Sequence, residues 1–185
     1  MKNVMIILAV IFFIISALET FYIYNCQKYY MEGCDITMKT PMGENKGMDF
    51  EKENVFGKGE LNSAYAKYFK GNSYLNPLVD SDKCSLPMFN VTFEPGCRNN
   101  WHIHHATKDG GQILICSAGK GWYQEEGKDA QELKPGVVVV IPANVKHWHG
   151  AQKDCWFSHI AIEVPGEGLS NEWCEEVTDE EYNKL

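Results

Sequence analysis

The chain reads WHIH at residues 101–104 and KHWHG at residues 146–150, and these two stretches decide the fold and the candidate site. Alternate side chains of a β-strand share one face, so the two His of each stretch point one way and the apolar residues between them point the other way. A single His in a strand is more often structural, but two such pairs in a chain with 6 His favour one shared metal site. The four converging imidazoles are those of His102, His104, His147 and His149.

Short segments rich in β-branched and aromatic residues surround these pairs, and Gly- and Pro-containing turns separate them. Such segments at intervals of roughly 8–12 residues are typical of an all-β sandwich or barrel. Long amphipathic helical patterns do not occur in this region. The predicted strands include Phe89–Phe93, Gln112–Ser117, Trp122–Gln124, Val137–Ile141 and Trp156–Val164.

Two short helices are predicted at the ends of this β-rich region. Ser63 is placed as the N-cap of a helix over Ala64–Phe69. Thr178 and Glu181 have the spacing of a capping box, in which each side chain satisfies a backbone N–H of the other residue. A terminal helix is therefore predicted after Thr178.

Composition limits the classes of function. A length of 185 residues, with 44% hydrophobic and 23% charged residues, suits a single globular domain with a sizeable core. The formal net charge of −8 leaves no basic surface for nucleic acid. The chain has 7 Cys but no C-x-x-C pair, which argues against zinc-finger and thioredoxin-like chemistry and indicates reduced, buried thiols. A small molecule is the expected partner.

The N-terminal segment Val4–Leu18 is apolar apart from one Ser and is shorter than the roughly 18–20 residues that cross a bilayer. Three interpretations stay open. The segment is the core of a signal peptide, or an uncleaved anchor that continues through Tyr24, or an artefact of a chain whose translation begins at Met42 or Met48. The protein would be secreted or membrane-anchored through residues 4–24 in the first two cases, and cytoplasmic in the third.

These interpretations divide the chain into two parts. Residues 1–47 form a hydrophobic leader or anchor and a linker, and need not be present in the mature chain. Residues 48–185 form the folded domain, with its motif-bearing core at residues 89–164. A membrane partner is expected only through the N-terminal segment, if it is retained.

The spacing of Gly, His and Pro around the two His pairs resembles the two motifs of the cupin family. The resemblance spans residues 89–164 and implies a single-domain jelly-roll barrel, also called a double-stranded β-helix, with short N- and C-terminal helices. The matching positions are Gly96, His102, His104, Gln112 and Gly119 in the first motif and Gly136, Pro142 and His147 in the second.

By this resemblance the metal ligands are His102, His104, Gln112 and His147. The usual family ligand at the third of these positions is Glu, and the spacer that precedes it is longer here. Asn144 and Ala151 replace the familiar Gly and Asn of the second motif. Residues 105–111 are Gly-rich and polar, and are interpreted as an extended hairpin beside the barrel mouth, with His105 in the loop.

The stretches VTFEPG at residues 91–96 and SHIAIE at residues 158–163 are similar to the sequences of a narrower group of cupins. That group contains the bacterial manganese-dependent hydroxynitrile lyases and relatives associated with carboxymuconolactone decarboxylases, and it accepts Gln as a ligand. The resemblance implies one divalent transition metal, with Mn preferred and Fe, Ni, Zn or Cu as alternatives. It also implies a homodimer.

The predicted ligand set has a chemical consequence. Three neutral imidazoles and a neutral amide would leave a divalent ion its full charge, so it would be a stronger Lewis acid than a carboxylate-ligated ion. His149 and His159 are expected to line the same cavity, as general acid and base or as support for the ligands. The expected function is that of a lyase or isomerase acting at a carbonyl or hydroxyl carbon, as in cyanohydrin cleavage. A cupin dioxygenase and a non-catalytic cupin that binds a small ligand are the alternatives.

Overall fold

A computed structural model describes residues 46–79, 82 and 84–185 of the chain. The compact unit to which they belong spans Glu44–Leu185. The leader, anchor and linker interpretations fall on residues outside the described part, apart from residues 46 and 47, which belong to the first helix, and the domain boundary at residue 48 stays a prediction. Within the described residues, no helix is both long and apolar enough to cross a membrane.

The described residues form two short α-helices and fifteen strands. The helices are α1 (Lys46–Glu53) and α2 (Asp179–Tyr182). The strands are β1 (Glu60–Leu61), β2 (Phe69–Lys70), β3 (Ser73–Pro77), β4 (Met88–Phe93), β5 (Arg98–Asn99), β6 (His102–His105), β7 (Lys108–Asp109), β8 (Gln112–Gly119), β9 (Gly121–Glu125), β10 (Gln131–Leu133), β11 (Val138–Ile141), β12 (Lys146–Ala151), β13 (Phe157–Glu163), β14 (Gly166–Glu167) and β15 (Ser170–Trp173).

Two antiparallel sheets carry the fold. The six-stranded sheet has the order β1-β3-β4-β13-β8-β11. The seven-stranded sheet has the order β10-β9-β12-β5-β2, and β6 joins it by pairing with both β12 and β15. Apart from the pairs β3-β4 and β9-β10, the neighbours in these orders are not consecutive in sequence, as in the jelly-roll architecture. The predicted all-β jelly-roll cupin barrel, with short helices near both ends of the domain, is confirmed.

Side chains from both sheets form one apolar core. Phe93 and Phe157 come from the six-stranded sheet, Tyr123 and Leu133 from the other sheet, and all are almost fully buried. Strand β8 alternates strictly between buried and half-buried residues, as expected where one face of a sheet packs on a core. The period-2 pattern in the sequence therefore sets which side chains enter the barrel.

The C-terminal segment covers the outer face of β12. Trp148 lies in β12 and packs outside the barrel against Trp101, Val177 and Tyr182. Its indole N–H donates to Gln124 Oε1 at 3.0 Å. This second apolar cluster explains why β12 is buried on both faces.

The capping box at α2 is confirmed. The Glu181 backbone N–H donates to Thr178 Oγ1 at 3.1 Å, and the Thr178 backbone N–H donates to Glu181 Oε2 at 2.9 Å. The two reciprocal bonds satisfy donors that would otherwise be left free at the start of the helix. Tyr182 at the end of α2 donates through its hydroxyl to the Ala151 carbonyl at 2.8 Å.

Two local predictions are wrong. The predicted helix over Ala64–Phe69 is only a 3₁₀ turn at Ala66–Tyr68, and Ser63 donates to the Leu61 carbonyl instead of capping it. Phe69 already belongs to β2, because pairing with β5 overrides its local preference. The hairpin predicted for residues 105–111 does not close on itself, since β7 pairs instead with β14.

Candidate metal centre

Strand pairing brings three of the predicted ligands together. His102 and His104 lie on the inner face of β6, and the register between β6 and β12 sets His147 opposite His102. Ring nitrogens of the three residues lie within 4.8 Å of one another. All three imidazoles are buried. A divalent ion could therefore contact one nitrogen of each.

Hydrogen bonds orient two of these rings in the form that binds a metal. His102 Nδ1 lies 2.9 Å from the Asn100 carbonyl oxygen, and His147 Nδ1 lies 2.9 Å from the Val145 carbonyl oxygen. A carbonyl can only accept, so both Nδ1 atoms donate and carry the ring proton. The Nε2 lone pair of each neutral imidazole is consequently available for a metal.

The third ring is held by side chains. His104 Nδ1 lies 2.9 Å from Asn171 Oδ1 and 3.4 Å from Glu163 Oε1. Its Nε2 atom is buried and has no hydrogen-bond partner among the described residues. His147 Nε2 is buried and without a partner in the same way. A buried polar atom without a partner costs about 1–3 kcal/mol, so two such atoms side by side point to a binding site for a group that would satisfy both.

Gln112 is the fourth predicted ligand, and the structure places it at the same cavity. It begins β8, its side chain is buried, and its Oε1 atom has no partner in the described part of the chain. Gly111 precedes it with φ +93°, and a Cβ there would lie 2.2 Å from the Ile141 carbonyl oxygen. Only Gly fits at this entry to the strand.

Burial keeps the imidazoles of His102 and His147 neutral. Burial lowers the pKa of His102 well below its usual value, and the nearby His147 and His104 lower it further. Burial likewise lowers the pKa of His147 to about 4. At neutral pH these rings are uncharged, which is the state that binds a metal.

His149 and His159, the predicted acid–base pair, meet deeper in the barrel. Their ring centroids lie 4.8 Å apart in an edge-to-face arrangement, and the His149 ring lies 5.5 Å from that of His102. Asn99 holds His149, because Asn99 Oδ1 accepts from its backbone N–H at 2.9 Å and Asn99 Nδ2 lies 3.2 Å from its Nε2. His159 is fully buried, and neither of its ring nitrogens has a partner among the described residues.

These two rings are also neutral at pH 7. Burial lowers the pKa of His149 well below its usual value, and the neighbouring His159 adds to this effect. Burial lowers the pKa of His159 to about 4. Each neutral ring can therefore act as a general base toward a bound molecule. Neither is in the protonated imidazolium form that would act as a general acid.

One cavity of about 260 Å³ is lined by all of these imidazoles except His147 and by Gln112. The polar lining residues are His102, His104, His149, His159, Gln112, Glu163 and Asn171, together with Asn62 and Asn99. The remainder is mostly aromatic and aliphatic. The apolar and aromatic lining residues are Tyr65, Phe69, Leu75, Phe89, Val91, Ala161 and Trp173.

Three neighbouring residues take no part in the site. His105 points away from the cavity and is held by Glu172, 2.7 Å from its Nε2, and by Asn144, 3.1 Å from its Nδ1. Cys116 shares the inner face of β8 but packs in the core, where burial raises its pKa to about 12 and makes it inert. Asn144 occupies a position where the second cupin motif usually has Gly. Its backbone adopts φ +67°, a conformation that Asn tolerates better than most residues, so the replacement is compatible with the turn.

Four further residues that line the cavity are not predicted from the sequence. They are Asn99, Glu163, Asn171 and Trp173. Trp173 stacks on His102, with ring centroids 4.9 Å apart and an interplanar angle of 28°. The alternation of β15 would have placed Asn171 and Trp173 on one face, and that of β13 would have placed Glu163 with His159. No local signal distinguishes Asn99 from an ordinary polar residue.

The donor set fits a divalent transition metal. Three imidazoles and an amide oxygen are ligands that Mn, Fe, Ni, Zn and Cu accept. The unpartnered atoms of His104, His147 and Gln112 are the observation that supports a metal here. Which of these metals the site holds is not set by the donors, because all of them bind nitrogen and oxygen.

Comparisons with known proteins point the same way. The family model "Cupin domain" matches residues 89–155. An (R)-mandelonitrile lyase from Granulicella tundricola is 41% identical over 120 residues, which cover 64% of this chain and 88% of that protein. An acireductone dioxygenase from Bacillus licheniformis is 30% identical over 146 residues, covering 77% and 78%.

A solved structure of a cupin-like protein from Thermotoga maritima superposes with a TM-score of 0.62 and 43% sequence identity. The superposition covers 71% of this chain and 96% of that protein. Fold, motif spacing and relatives agree, and relatives named as a lyase and a dioxygenase indicate an enzymatic cupin. The chain belongs to the cupin family.

Proposed function

We propose that the protein is a metal-dependent lyase that cleaves a small cyanohydrin into an aldehyde and hydrogen cyanide. The observation that carries the proposal is a set of buried, unpartnered atoms, which belong to His104, Gln112 and His159 in the lining of one cavity and to His147 beside His104. The similarity to an (R)-mandelonitrile lyase supports the choice of reaction. The same residues would also suit other reactions at a carbonyl or hydroxyl carbon.

His102, His104, Gln112 and His147 would hold one divalent ion, and we take Mn as the preferred metal. When bound, the ion supplies Lewis acidity to a hydroxyl or carbonyl oxygen of the substrate. All four ligands are neutral, so no carboxylate reduces its charge. This charge would favour the deprotonated form of a substrate hydroxyl.

The cavity restricts the substrate to a small molecule with one apolar substituent. A volume of about 260 Å³ is below the range of roughly 300–1,000 Å³ typical of drug-sized ligands. Phe69, Leu75, Phe89 and Trp173 line its apolar part. An aryl or branched alkyl group packs well against such side chains, and the hydroxyl-bearing carbon would then face the imidazoles.

The neutral imidazoles beside the ligands would handle the proton. His149 or His159 accepts the hydroxyl proton of the cyanohydrin as the carbon–carbon bond to the nitrile breaks. The electron pair of that bond leaves with cyanide, the carbon–oxygen bond becomes the carbonyl of the aldehyde, and the imidazolium returns its proton to cyanide. Atoms and charge balance, and no oxidant is needed. The low pKa of His159, about 4, keeps it ready as the base above that pH.

The test is cleavage of mandelonitrile by the full-length chain, purified and loaded with Mn²⁺, with benzaldehyde formation followed by absorbance. We expect turnover that is lost in His104→Ala. His105→Ala is the matched control, because His105 is the next residue but points outward to Glu172. Equal loss in both variants, or no turnover by the loaded protein, would contradict the proposal. Tight binding of the aldehyde without turnover would favour a ligand-binding cupin.

A metal-dependent dioxygenase is the second candidate. The similarity to acireductone dioxygenase over 146 residues favours it. The amide of Gln112 counts against it, because many non-haem iron oxygenases use a carboxylate among their ligands. Oxygen consumption by the Fe²⁺-loaded protein with an acireductone, together with no cyanohydrin cleavage, would put this candidate first.

A further inference from the structure

Strand β15 lies directly against the strand that carries two of the candidate ligands. In the antiparallel register of β15 and β6, Asn171 is opposite His104 and Trp173 is opposite His102. Directly opposite residues in a sheet project to the same face. The alternate residue Ser170 is opposite the outward-pointing His105. The inner face of β15 is thus aligned with both ligands.

Asn171 controls the ring proton of His104. Its Oδ1 atom lies 2.9 Å from His104 Nδ1, while the Glu163 carboxylate lies 3.4 Å from the same nitrogen. One N–H has two acceptors within reach, and the shorter contact belongs to the neutral amide. Donation to Asn171 keeps the proton on Nδ1 and leaves Nε2 free toward the cavity.

Trp173 supports the other ligand of the pair. Its indole stacks on the His102 imidazole, with centroids 4.9 Å apart. The same indole stacks almost parallel on Tyr68, at 4.4 Å and 6°. Its position is therefore set from two sides, and it limits rotation of the His102 ring.

The segment after β15 is firmly attached to the barrel, so β15 is not a loose edge. The Cys174 N–H donates to the Trp101 carbonyl at 2.8 Å, and the Trp101 N–H donates to the Glu175 carbonyl at 3.0 Å. Arg98, which is almost fully buried, donates through Nη2 to the Val177 carbonyl at 3.0 Å. These bonds hold β15 in its register.

From these contacts we infer that Asn171 and Trp173 are positioning residues, through which the C-terminal strand β15 holds His104 and His102 in the orientation that binds the metal. The inference rests on the metal site of the proposed function, but not on the identity of the reaction. It makes the segment beyond the cupin motifs part of the metal centre. Metal affinity, and not only activity, should depend on it.

The experiment measures the dissociation constant of Mn²⁺ for the full-length chain by the loss of the free-ion EPR signal. Removing an outer partner of a metal-bound His costs about 10–100-fold in affinity, and we expect a loss of that size in Asn171→Ala. Ser170→Ala is the matched control, since it changes the neighbouring residue on the opposite face of β15 and should keep the wild-type affinity. Asn171→Asp retains an oxygen acceptor at this position, so it should bind Mn²⁺ more tightly than Asn171→Ala does, with an affinity near that of the wild type.

Glu163 could take over the N–H of His104 once Asn171 is removed. The double variant Asn171→Ala/Glu163→Ala, which removes both oxygen acceptors, is therefore measured beside the single one. Wild-type affinity in both variants would overturn the role of Asn171. If the proposed metal site itself is wrong, the wild-type chain will not bind Mn²⁺ at all, and this outcome is distinguishable from a failure of the Asn171 role alone.

Discussion

Two clusters of buried polar side chains lie on opposite faces of the six-stranded sheet. On its outer face, Asn54, Asn90, Thr92 and Ser158 form an asparagine cluster beneath the segment that follows α1, and none is more than 4% exposed. Every member is hydrogen-bonded to another, as in the bonds from Asn90 Nδ2 to Asn54 Oδ1 at 3.0 Å and from Ser158 Oγ to Asn90 Oδ1 at 2.9 Å. On the inner side lies the His–Gln cluster, made of His104, Gln112, His147 and His159, and none of these is more than 7% exposed.

The inner cluster leaves its polar atoms without partners. The buried side-chain atoms that lack a partner among the described residues all belong to it, and they are His104 Nε2, Gln112 Oε1, His147 Nε2 and both ring nitrogens of His159. Burying a polar atom without a hydrogen bond is costly, so a fold keeps such atoms only where something else satisfies them. The asparagine cluster satisfies its own polar atoms, whereas the unpartnered atoms of the His–Gln cluster include those that the proposed metal would contact.

The largest expected effect separates the two clusters by metal binding. His147→Ala removes a ligand and should weaken Mn²⁺ binding by more than about 100-fold, beyond the cost of losing an outer partner. Its metal-free form should lose some stability, because Ala leaves a cavity and removes the hydrogen bond to the Val145 carbonyl, and the loss should be partly offset because an unsatisfied buried nitrogen is also gone. Equilibrium dialysis and urea titration test the two parts. Unchanged metal affinity would mean that His147 is not a ligand and has only a structural role, like Asn90 in the asparagine cluster.

The reverse pattern is expected for the asparagine cluster. Asn90 donates to Asn54 and to the Gly57 carbonyl, and it accepts from Ser117 and Ser158. Asn90→Ala should lower the free energy of unfolding by about 2 to 3 kcal/mol, because it leaves several buried partners unsatisfied. Metal affinity should stay at the wild-type value. A stable variant that loses its metal would remove the distinction between the clusters.

The inner cluster should also make stability depend on pH. Burial holds the pKa of His159 at about 4, below its value in the unfolded chain, so the unfolded state binds more protons between these two values. The stabilisation is complete above the unfolded pKa and is lost as pH falls toward the folded pKa. From pH 7 to pH 5 this one group should lower the free energy of unfolding by about 2 kcal/mol.

The pH effect is measured by urea titration of metal-free protein at both pH values. His159→Phe, which places a third phenyl ring beside Phe93 and Phe157, should reduce the difference by the same amount. These rings already contact His159, with centroids 5.5 Å away in each case. An equal pH dependence in variant and wild type would show that His159 is not the group responsible.

The smallest effect is expected at the edge of the asparagine cluster. Thr92 Oγ1 accepts from Asn54 Nδ2 at 3.2 Å and lies 3.1 Å from Ser158 Oγ. Thr92→Val keeps the shape but loses the hydroxyl, and should lower the free energy of unfolding by about 1 kcal/mol. Thermal unfolding is sensitive enough to detect this change. A cost equal to that of Asn90→Ala would mean that Thr92 is as central to the cluster as Asn90.

The barrel could be predicted because its signals are local. Period-2 alternation and turn residues indicate strands, and the two H-x-H pairs show which faces turn inward. The helix predicted at Ala64–Phe69 was wrong because its preferences are weak and strand pairing at Phe69 overrides them. The α2 prediction was right because Thr178 and Glu181 satisfy each other within one turn.

The sequence by itself thus determined the family, the all-β fold and the imidazoles that face the cavity, since each depends on spacing along a strand. Only the tertiary structure decided what holds those imidazoles. His104 and Asn171 are 67 positions apart, and His149 and Asn99 are 50 apart. Hydrogen bonds act only over about 3 Å, so no pattern along the chain can indicate which distant strand supplies the partner until the sheets have assembled.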